Sequence, residues 1–135
     1  MGELTTRRHV LLVDIADEPA AIAAYEAWHA AGAVPAAIVS SIRAAGVTAM
    51  DIYRSGDRLV MVMDTDAGFD AAAKAAADAA DPAVRAWERQ MDTVQRPLPW
   101  AEPGVKWTTA RRIFSLAEQG GGEGATSATG TPAPG

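Results

Sequence analysis

The sequence contains no cysteine, which excludes disulfide bonds and thiolate metal sites. It also lacks an excess of basic residues: 12 Lys and Arg stand against 17 Asp and Glu, and the net charge of −5 argues against partners such as nucleic acid or an anionic membrane. No apolar run is long enough to span a bilayer, and the amino-terminal stretch MGELTTRRHVLLVDI lacks the apolar core of a secretion signal. We therefore expect a cytoplasmic protein.

Glycine is concentrated at one end of the chain. Residues 119–135 are nearly all Gly, Ala, Ser, Thr and Pro, a composition that buries too little apolar surface to offset the entropy lost on ordering. Elsewhere no glycine-rich loop stands between a strand and a helix, which argues against a phosphate-binding loop. The apolar content of 49% is enough for one core. We predict a single domain over residues 1–118 and a disordered tail over residues 119–135.

The first half of the chain predicts a strand followed by helical segments. Residues 9–15, HVLLVDI, form a short aliphatic run that is typical of a strand. A helix is expected to begin near Glu18, and Gly32 and Pro35 interrupt it. The next segment, AAIVSSIRAAG, has apolar residues at helical spacing and ends at Gly46. We expect a kinked helix or two helices in series.

The second half begins with the clearest local signal, a β-hairpin. The runs 48–54 and 58–64 favour strands and flank a short loop that contains glycine. Residues 70–81 are strong helix formers, Pro82 begins a second helical run, and residues 108–116 predict a last strand. The order β-α-β-β-α-β is typical of the α+β ferredoxin-like fold, in which helices cover one face of an antiparallel sheet.

Two of the predicted strands are apolar on both faces. In RLVMVMD, residues 58–64, both alternating sets of side chains are apolar, and residues 9–15 are similar. A strand with one face in water should alternate instead, so something must cover the second face of the sheet. Since no helix is left over, we expect a symmetric homodimer whose sheets pack face to face. The alternative is that this face holds a ligand cavity.

Tyrosine and histidine are scarce, with two of each, yet Tyr25 and His29 lie four positions apart in AAYEAWHAAGAVP. On a helix this spacing places both on one face. An imidazole can give or take a proton near neutral pH, and a phenol can bind a substrate hydroxyl. The pair is a candidate proton-transfer site, and the alternative is a core tyrosine beside a half-buried histidine. Two histidines without cysteine or a carboxylate cluster do not indicate a metal site.

Four further residues stand out by their positions. Asp51 lies within a predicted strand, where an acid is unfavourable, so it occupies either a solvated edge or a site. Trp87 is most simply a core residue of its helix. Trp100 and Trp107 bracket a proline-rich loop, and flat apolar rings over a polar pocket can hold the C–H face of a sugar.

Five segments stand in a characteristic order and spacing: RRHVLLVDI, AAYEAWH, IRAAGVTAMDIYRSGDRLVMVMD, DPAVRAWERQM and KWTTARRIFSL. In this series the chain resembles the L-rhamnose mutarotase family and its relatives assigned to L-fucose. The resemblance covers about residues 8–117. It implies a ferredoxin-like fold of the dimeric α/β-barrel type, and a cofactor-free exchange between the α and β anomers of a 6-deoxy-hexose.

The resemblance also implies roles for individual residues. The family's Tyr-x-x-x-His pair is matched by Tyr25 and His29, which implies that His29 is the catalytic proton donor and Tyr25 a substrate ligand. Where rhamnose enzymes often have a substrate-contacting tyrosine, this chain has Met50, and where they have adjacent tryptophans it has Trp87 followed by Glu88. These departures concern the identity of the sugar, and we expect L-fucose or a similar one.

Exchange of anomers requires two proton transfers, because the anomeric hydroxyl loses a proton while the ring oxygen gains one. We expect His29 to protonate the ring oxygen and Tyr25 to orient a hydroxyl, with Asp51 or Glu88 as candidate bases. Two other functions are compatible with the same scaffold, since fold alone does not determine function. A non-catalytic sugar- or metabolite-binding protein would bind without faster exchange, and a monooxygenase would bind haem or turn over an aromatic substrate.

Overall fold

The computed structural model describes residues 6–120, which contain one antiparallel sheet. Its strands are β1 (Arg7–Ile15), β2 (Val47–Ser55), β3 (Arg58–Thr65), β4 (Gln95–Arg96) and β5 (Thr108–Ala110). The order across the sheet is β2-β3-β1, and the short strands β4 and β5 both pair with the remaining edge of β1. The predicted hairpin is confirmed as β2 and β3.

The helices are α1 (Pro19–Trp28), α2 (Ala36–Ala44), α3 (Ala71–Ala80) and α4 (Pro82–Asp92). The predicted helix start is confirmed, because Glu18 is the extended N-cap residue and Pro19 opens α1. The predicted interruption near Gly32 and Pro35 produces two helices in series. The protein is therefore an α+β structure with four helices and an open antiparallel sheet.

One face of the sheet carries the core. Val13 and Ile15 of β1 and Leu59 of β3 are at most 1% exposed. Tyr25 of α1 and Met91 of α4 belong to the same buried cluster. Burial of this kind is the main favourable contribution to folding, and it fixes α1 and α4 on this side of the sheet.

The opposite face of the sheet is apolar as well, as the sequence predicts. Val10 of β1 pairs with Val62 of β3, and Leu12 pairs with Val60. All four side chains are half-buried. They alternate with the core residues along their strands, so they point away from the helices.

The last strand is much shorter than predicted: of residues 108–116, only Thr108–Ala110 form β5. Ala110 pairs with Val10, so if β5 continued in the same register, Arg112 would lie opposite Arg8. Like charges directly opposite each other destabilise a sheet. Arg8 instead binds Asp64 of β3, and the chain leaves the sheet after β5.

The chain beyond β5 carries three exposed apolar side chains, two before a short 3₁₀ turn, Leu116–Glu118, and one at its first residue. Ile113 is 85% exposed, Phe114 64% and Leu116 76%. The predicted disordered tail begins at Gln119, and its residues 121–135 lie outside the described residues. None of the helices between residues 6 and 120 is long and apolar enough to cross a membrane.

Candidate active site

A cavity of about 650 Å³ lies on the face of the sheet that the helices cover. Met50 and Ile52 of β2 and Met61 and Met63 of β3 form its sheet side. Residues of all four helices complete the wall. The volume is within the range typical of small-molecule sites. This cavity lies on the helix-covered face and not on the second face of the sheet, so it is not the cover expected for that second face.

His29 lines this cavity at the carboxyl end of α1, where it is the C-cap residue. Its Nδ1 lies 2.8 Å from the backbone carbonyl oxygen of Tyr25. A carbonyl oxygen can only accept a hydrogen bond, so Nδ1 must donate and carry a hydrogen. In the neutral ring this leaves Nε2 as the unprotonated nitrogen, and Nε2 has no hydrogen-bond partner within residues 6–120.

Two aromatic rings hold the imidazole of His29 in place. The Tyr25 ring stacks on it with centroids 4.1 Å apart, and the Trp87 ring meets it edge-on at 5.3 Å. Stacked and edge-to-face contacts of this kind add to the energy of burial. The orientation of His29 is thus fixed by a hydrogen bond and two rings, which is the preorganisation that a proton-transfer group needs.

Tyr25 is 3% exposed and also lines the cavity. Burial raises the pKa of Tyr25 to about 12, although a hydrogen bond from Gln95 acts in the opposite direction and the charge of Glu88 adds to the rise. At neutral pH the side chain is therefore a phenol. It can donate or accept a hydrogen bond but cannot act as a phenolate base.

Glu88 of α4 also lines the cavity and is held by Lys106. The Lys106 Nζ lies 2.7 Å from Glu88 Oε1 and 2.6 Å from Asp92 Oδ1. Burial lowers the pKa of Lys106, but the hydrogen bonds to Asp92 and Glu88 raise it by more, so the net change is upward. The ammonium group therefore stays protonated and keeps the Glu88 carboxylate at the cavity wall.

Met50 and Asp51 are neighbours on β2, and both contribute to the cavity lining. Met50 pairs with Met63 on the helix-covered face, whereas Asp51 pairs with Val62 and is exposed. Successive side chains of a strand point to opposite faces. The Asp51 carboxylate is therefore on the second face of the sheet, as its alternation with Met50 in the sequence indicates.

The two tryptophans of the proline-rich loop are in different places. Trp107 lines the cavity and packs against the core cluster. Trp100 is 61% exposed, and the guanidinium of Arg58 lies 5.1 Å from its ring centre. Among the residues that the structure describes, 6–120, Trp100 does not line this cavity. The structure thus brings six of the eight sequence-predicted site side chains to one cavity: Tyr25, His29, Met50, Trp87, Glu88 and Trp107. Asp51 borders the cavity from β2, but its carboxylate lies on the second face of the sheet.

Gln95 is a cavity residue that the sequence did not single out. It is the first residue of β4, is 7% exposed and lies 3.4 Å through its Nε2 from the Tyr25 hydroxyl. In the sequence it stands between the end of a helix and a proline, where no periodic pattern indicates which way a side chain points. A two-residue strand is too short to produce one.

The described part of the chain, residues 6–120, contains no group of three or more His, Asp or Glu side chains that could hold a metal ion. What the cavity offers is an oriented imidazole, a phenol and a carboxylate beside apolar Trp and Met walls. Such a set can move protons on a small ligand that has hydroxyl groups and an apolar side.

Comparison with known proteins agrees with this chemistry. The family model for L-rhamnose mutarotase matches residues 8–116. A curated protein, the L-fucose mutarotase of Xanthomonas campestris pv. campestris, is 45% identical over 115 residues, which cover 85% of this chain and 92% of that protein. The chain therefore belongs to the L-rhamnose mutarotase family.

Proposed function

We propose that this carbohydrate isomerase, a sugar mutarotase, interconverts the α and β anomers of L-fucose or a closely related 6-deoxy-hexose, with protein side chains alone transferring the protons. The single observation that carries the proposal is the His29 imidazole, whose Nδ1 is bound to the Tyr25 carbonyl so that Nε2 is available to a ligand in the cavity. The preference for L-fucose rests on the 45% identity to an L-fucose mutarotase.

The proposed reaction begins with the protonated form of His29. The imidazolium donates its Nε2 proton to the ring oxygen while a base accepts the proton of the anomeric hydroxyl. The bond between the anomeric carbon and the ring oxygen breaks, which gives the open-chain aldehyde. After rotation about the adjacent carbon–carbon bond, closure on the other face returns both protons. No atom or electron is gained or lost over the cycle.

We assign the base to Glu88 rather than Asp51. Glu88 lies close enough to Tyr25 for its charge to act on that hydroxyl, and Lys106 holds it at the cavity wall. The Asp51 carboxylate lies on the other face of the sheet. Tyr25 then binds a sugar hydroxyl, and Trp87, like the other apolar wall residues, contacts the C–H side of the ring.

Anomer exchange measured by NMR saturation transfer tests this function with L-fucose and L-rhamnose side by side. We expect exchange to depend on the enzyme and to be faster for L-fucose. Glu88→Gln should slow it by about 10²-fold or more, the usual contribution of one proton-transfer group. The matched control, Asp51→Asn, should change it little. Saturable binding without faster exchange would instead indicate a binding protein.

We further propose the ferredoxin-like arrangement for this α+β domain and a homodimer through the second face of the sheet. The apolar stripe on that face, formed by Val10, Leu12, Val60 and Val62, is bounded at one end by the Arg8–Asp64 ion pair at 2.8 Å. The Asp14–Arg58 pair at 2.7 Å bounds the other end. An apolar centre with a charge pair of both signs at each end is complementary to a copy of itself under a twofold axis.

The variant Val62→Asp tests the dimer, because it places an unpaired carboxylate in the centre of the stripe. Sedimentation analysis should find a wild-type dimer and a monomeric Val62→Asp variant. The control, Ala76→Asp, adds the same charge on an exposed position of α3 and should leave the dimer intact. A wild-type monomer at micromolar concentration would contradict the proposal.

A further inference from the structure

Gln95 combines burial with an amide oxygen that has no hydrogen-bond partner in the described part of the chain. It belongs to β4, pairs with Ile15 of β1 and is 7% exposed. Its side chain lines the same cavity as Tyr25 and His29. Glutamine is rarely buried to this degree, because its polar amide needs hydrogen-bond partners when it leaves water. The partners of the Gln95 amide therefore indicate its role.

Within residues 6–120, one end of the Gln95 amide has a hydrogen-bond partner and the other has none. Nε2 donates to the Tyr25 hydroxyl oxygen across 3.4 Å. Oε1 is fully buried and accepts no hydrogen bond from any residue between positions 6 and 120. A buried carbonyl oxygen without a donor costs about 1–3 kcal/mol. An apolar side chain of the same shape would avoid this cost, so stability alone does not account for the amide.

We propose that Gln95 is a substrate-binding residue whose Oε1 accepts a hydrogen bond from one sugar hydroxyl, while its Nε2 positions the Tyr25 hydroxyl for a second contact with the sugar. This inference rests on the proposed function of the cavity as a sugar site. Sugar hydroxyls are the donors that the free oxygen lacks, and they come from a ligand that fits the cavity.

The hydrogen bond to Tyr25 has a directional consequence. Because Gln95 Nε2 donates, the Tyr25 oxygen is the acceptor, and its own hydrogen is free to be donated to the ligand. Gln95 and Tyr25 therefore carry one acceptor and one donor at adjacent positions of the cavity wall, and the Gln95 amide must turn for its buried Oε1 to reach the ligand. A pair of neighbouring hydroxyls on a pyranose ring can satisfy both, since each hydroxyl both donates and accepts. The 3.4 Å separation is of the long kind that often shortens when a ligand binds.

The test uses Gln95→Met, which removes both polar atoms but keeps an unbranched side chain of similar length. Dissociation constants are measured by tryptophan fluorescence for L-fucose and for its 2-deoxy, 3-deoxy and 4-deoxy analogues. Anomer exchange is followed in parallel by NMR. The control is Gln90→Leu, which removes an exposed amide of α4.

We expect wild-type protein to bind one of the three analogues about tenfold more weakly than L-fucose, since a hydrogen bond to a sugar hydroxyl contributes on the order of one factor of ten. Gln95→Met should bind L-fucose about tenfold more weakly and should no longer distinguish that analogue from L-fucose. Its melting temperature should not fall, because the unpaired oxygen is gone. Gln90→Leu should match wild type throughout.

If each analogue loses the same affinity relative to L-fucose in wild type as in Gln95→Met, the proposed role of Gln95 is wrong. It is also wrong if wild type binds all three analogues as tightly as L-fucose. The second result is obtained from wild type alone and does not depend on the folding of the variant. Tight L-fucose binding without anomer exchange would refute the proposed activity, but the dissociation constants would still test the role of Gln95. Absence of L-fucose binding would overturn both.

Discussion

The buried hydroxyl of Tyr25 should make the protein lose stability in alkaline solution. In the unfolded chain a tyrosine ionises with a pKa near 10, whereas in the folded protein burial raises the pKa of Tyr25 to about 12. Above pH 10 the unfolded state therefore releases a proton that the folded state retains. The free energy of unfolding must fall as pH rises from about 10 to about 12.

The size of the effect follows from the two pKa values. Each pH unit between them contributes about 1.4 kcal/mol, so between pH 9 and pH 11 the Tyr25 hydroxyl should lower the free energy of unfolding by about 1.4 kcal/mol. Tyr25→Phe removes the hydroxyl and keeps the ring. Between pH 9 and pH 11 the free energy of unfolding of this variant should therefore fall by about 1.4 kcal/mol less than that of wild type.

Urea unfolding followed by tryptophan fluorescence, at one fixed protein concentration, measures both curves. Other alkaline effects are common to the two proteins and cancel in the difference. The matched control is Tyr53→Phe, which removes the same group from a residue that is 60% exposed in the folded protein, and it should follow the wild-type curve. Parallel curves for wild type and Tyr25→Phe would refute the reasoning.

Three further substitutions test the fold by their effect on the melting temperature. Gly46→Ala should lower the stability by about 1–3 kcal/mol, because Gly46 has a φ of +99° and an added Cβ would lie 2.5 Å from Asp66 Oδ1. Gly56→Ala should lower it less, because Gly56 has a φ of +60° and open space around it. Asp70→Ala removes the N-cap of α3, which accepts from two helix N–H groups, and should cost about 1 kcal/mol, with recovery in Asp70→Ser. Leu59→Ala removes a side chain that is 1% exposed and should cost about 2–5 kcal/mol.

The parts of the fold that the sequence predicts are those with strong local signals. Pro19 and Pro82 open helices, and the loop between β2 and β3 closes a hairpin with Gly56 at a positive φ. Two features depended on long-range pairing and were missed. β4 forms because Gln95 and Arg96 meet the end of β1, and β5 stops because its continuation would bring Arg112 against Arg8.

The site shows a similar division. Helical spacing alone places Tyr25 and His29 together, and strand alternation assigns Met50 and Asp51 to opposite faces. Trp100 could not be located this way, because a proline-rich loop has no period, and it lies against Arg58 instead of the cavity. Gln95 was overlooked for the same reason: only the folded sheet brings it to the hydroxyl of a residue 70 positions away.

The central claim is that His29 transfers the proton that opens the sugar ring. Saturation transfer between the anomeric protons of L-fucose, with wild type and His29→Gln in parallel, tests it most directly. We predict enzyme-dependent exchange in wild type and a loss of at least about 10²-fold in the variant, with a circular dichroism spectrum that shows the variant is folded. Undiminished exchange in folded His29→Gln would contradict the account.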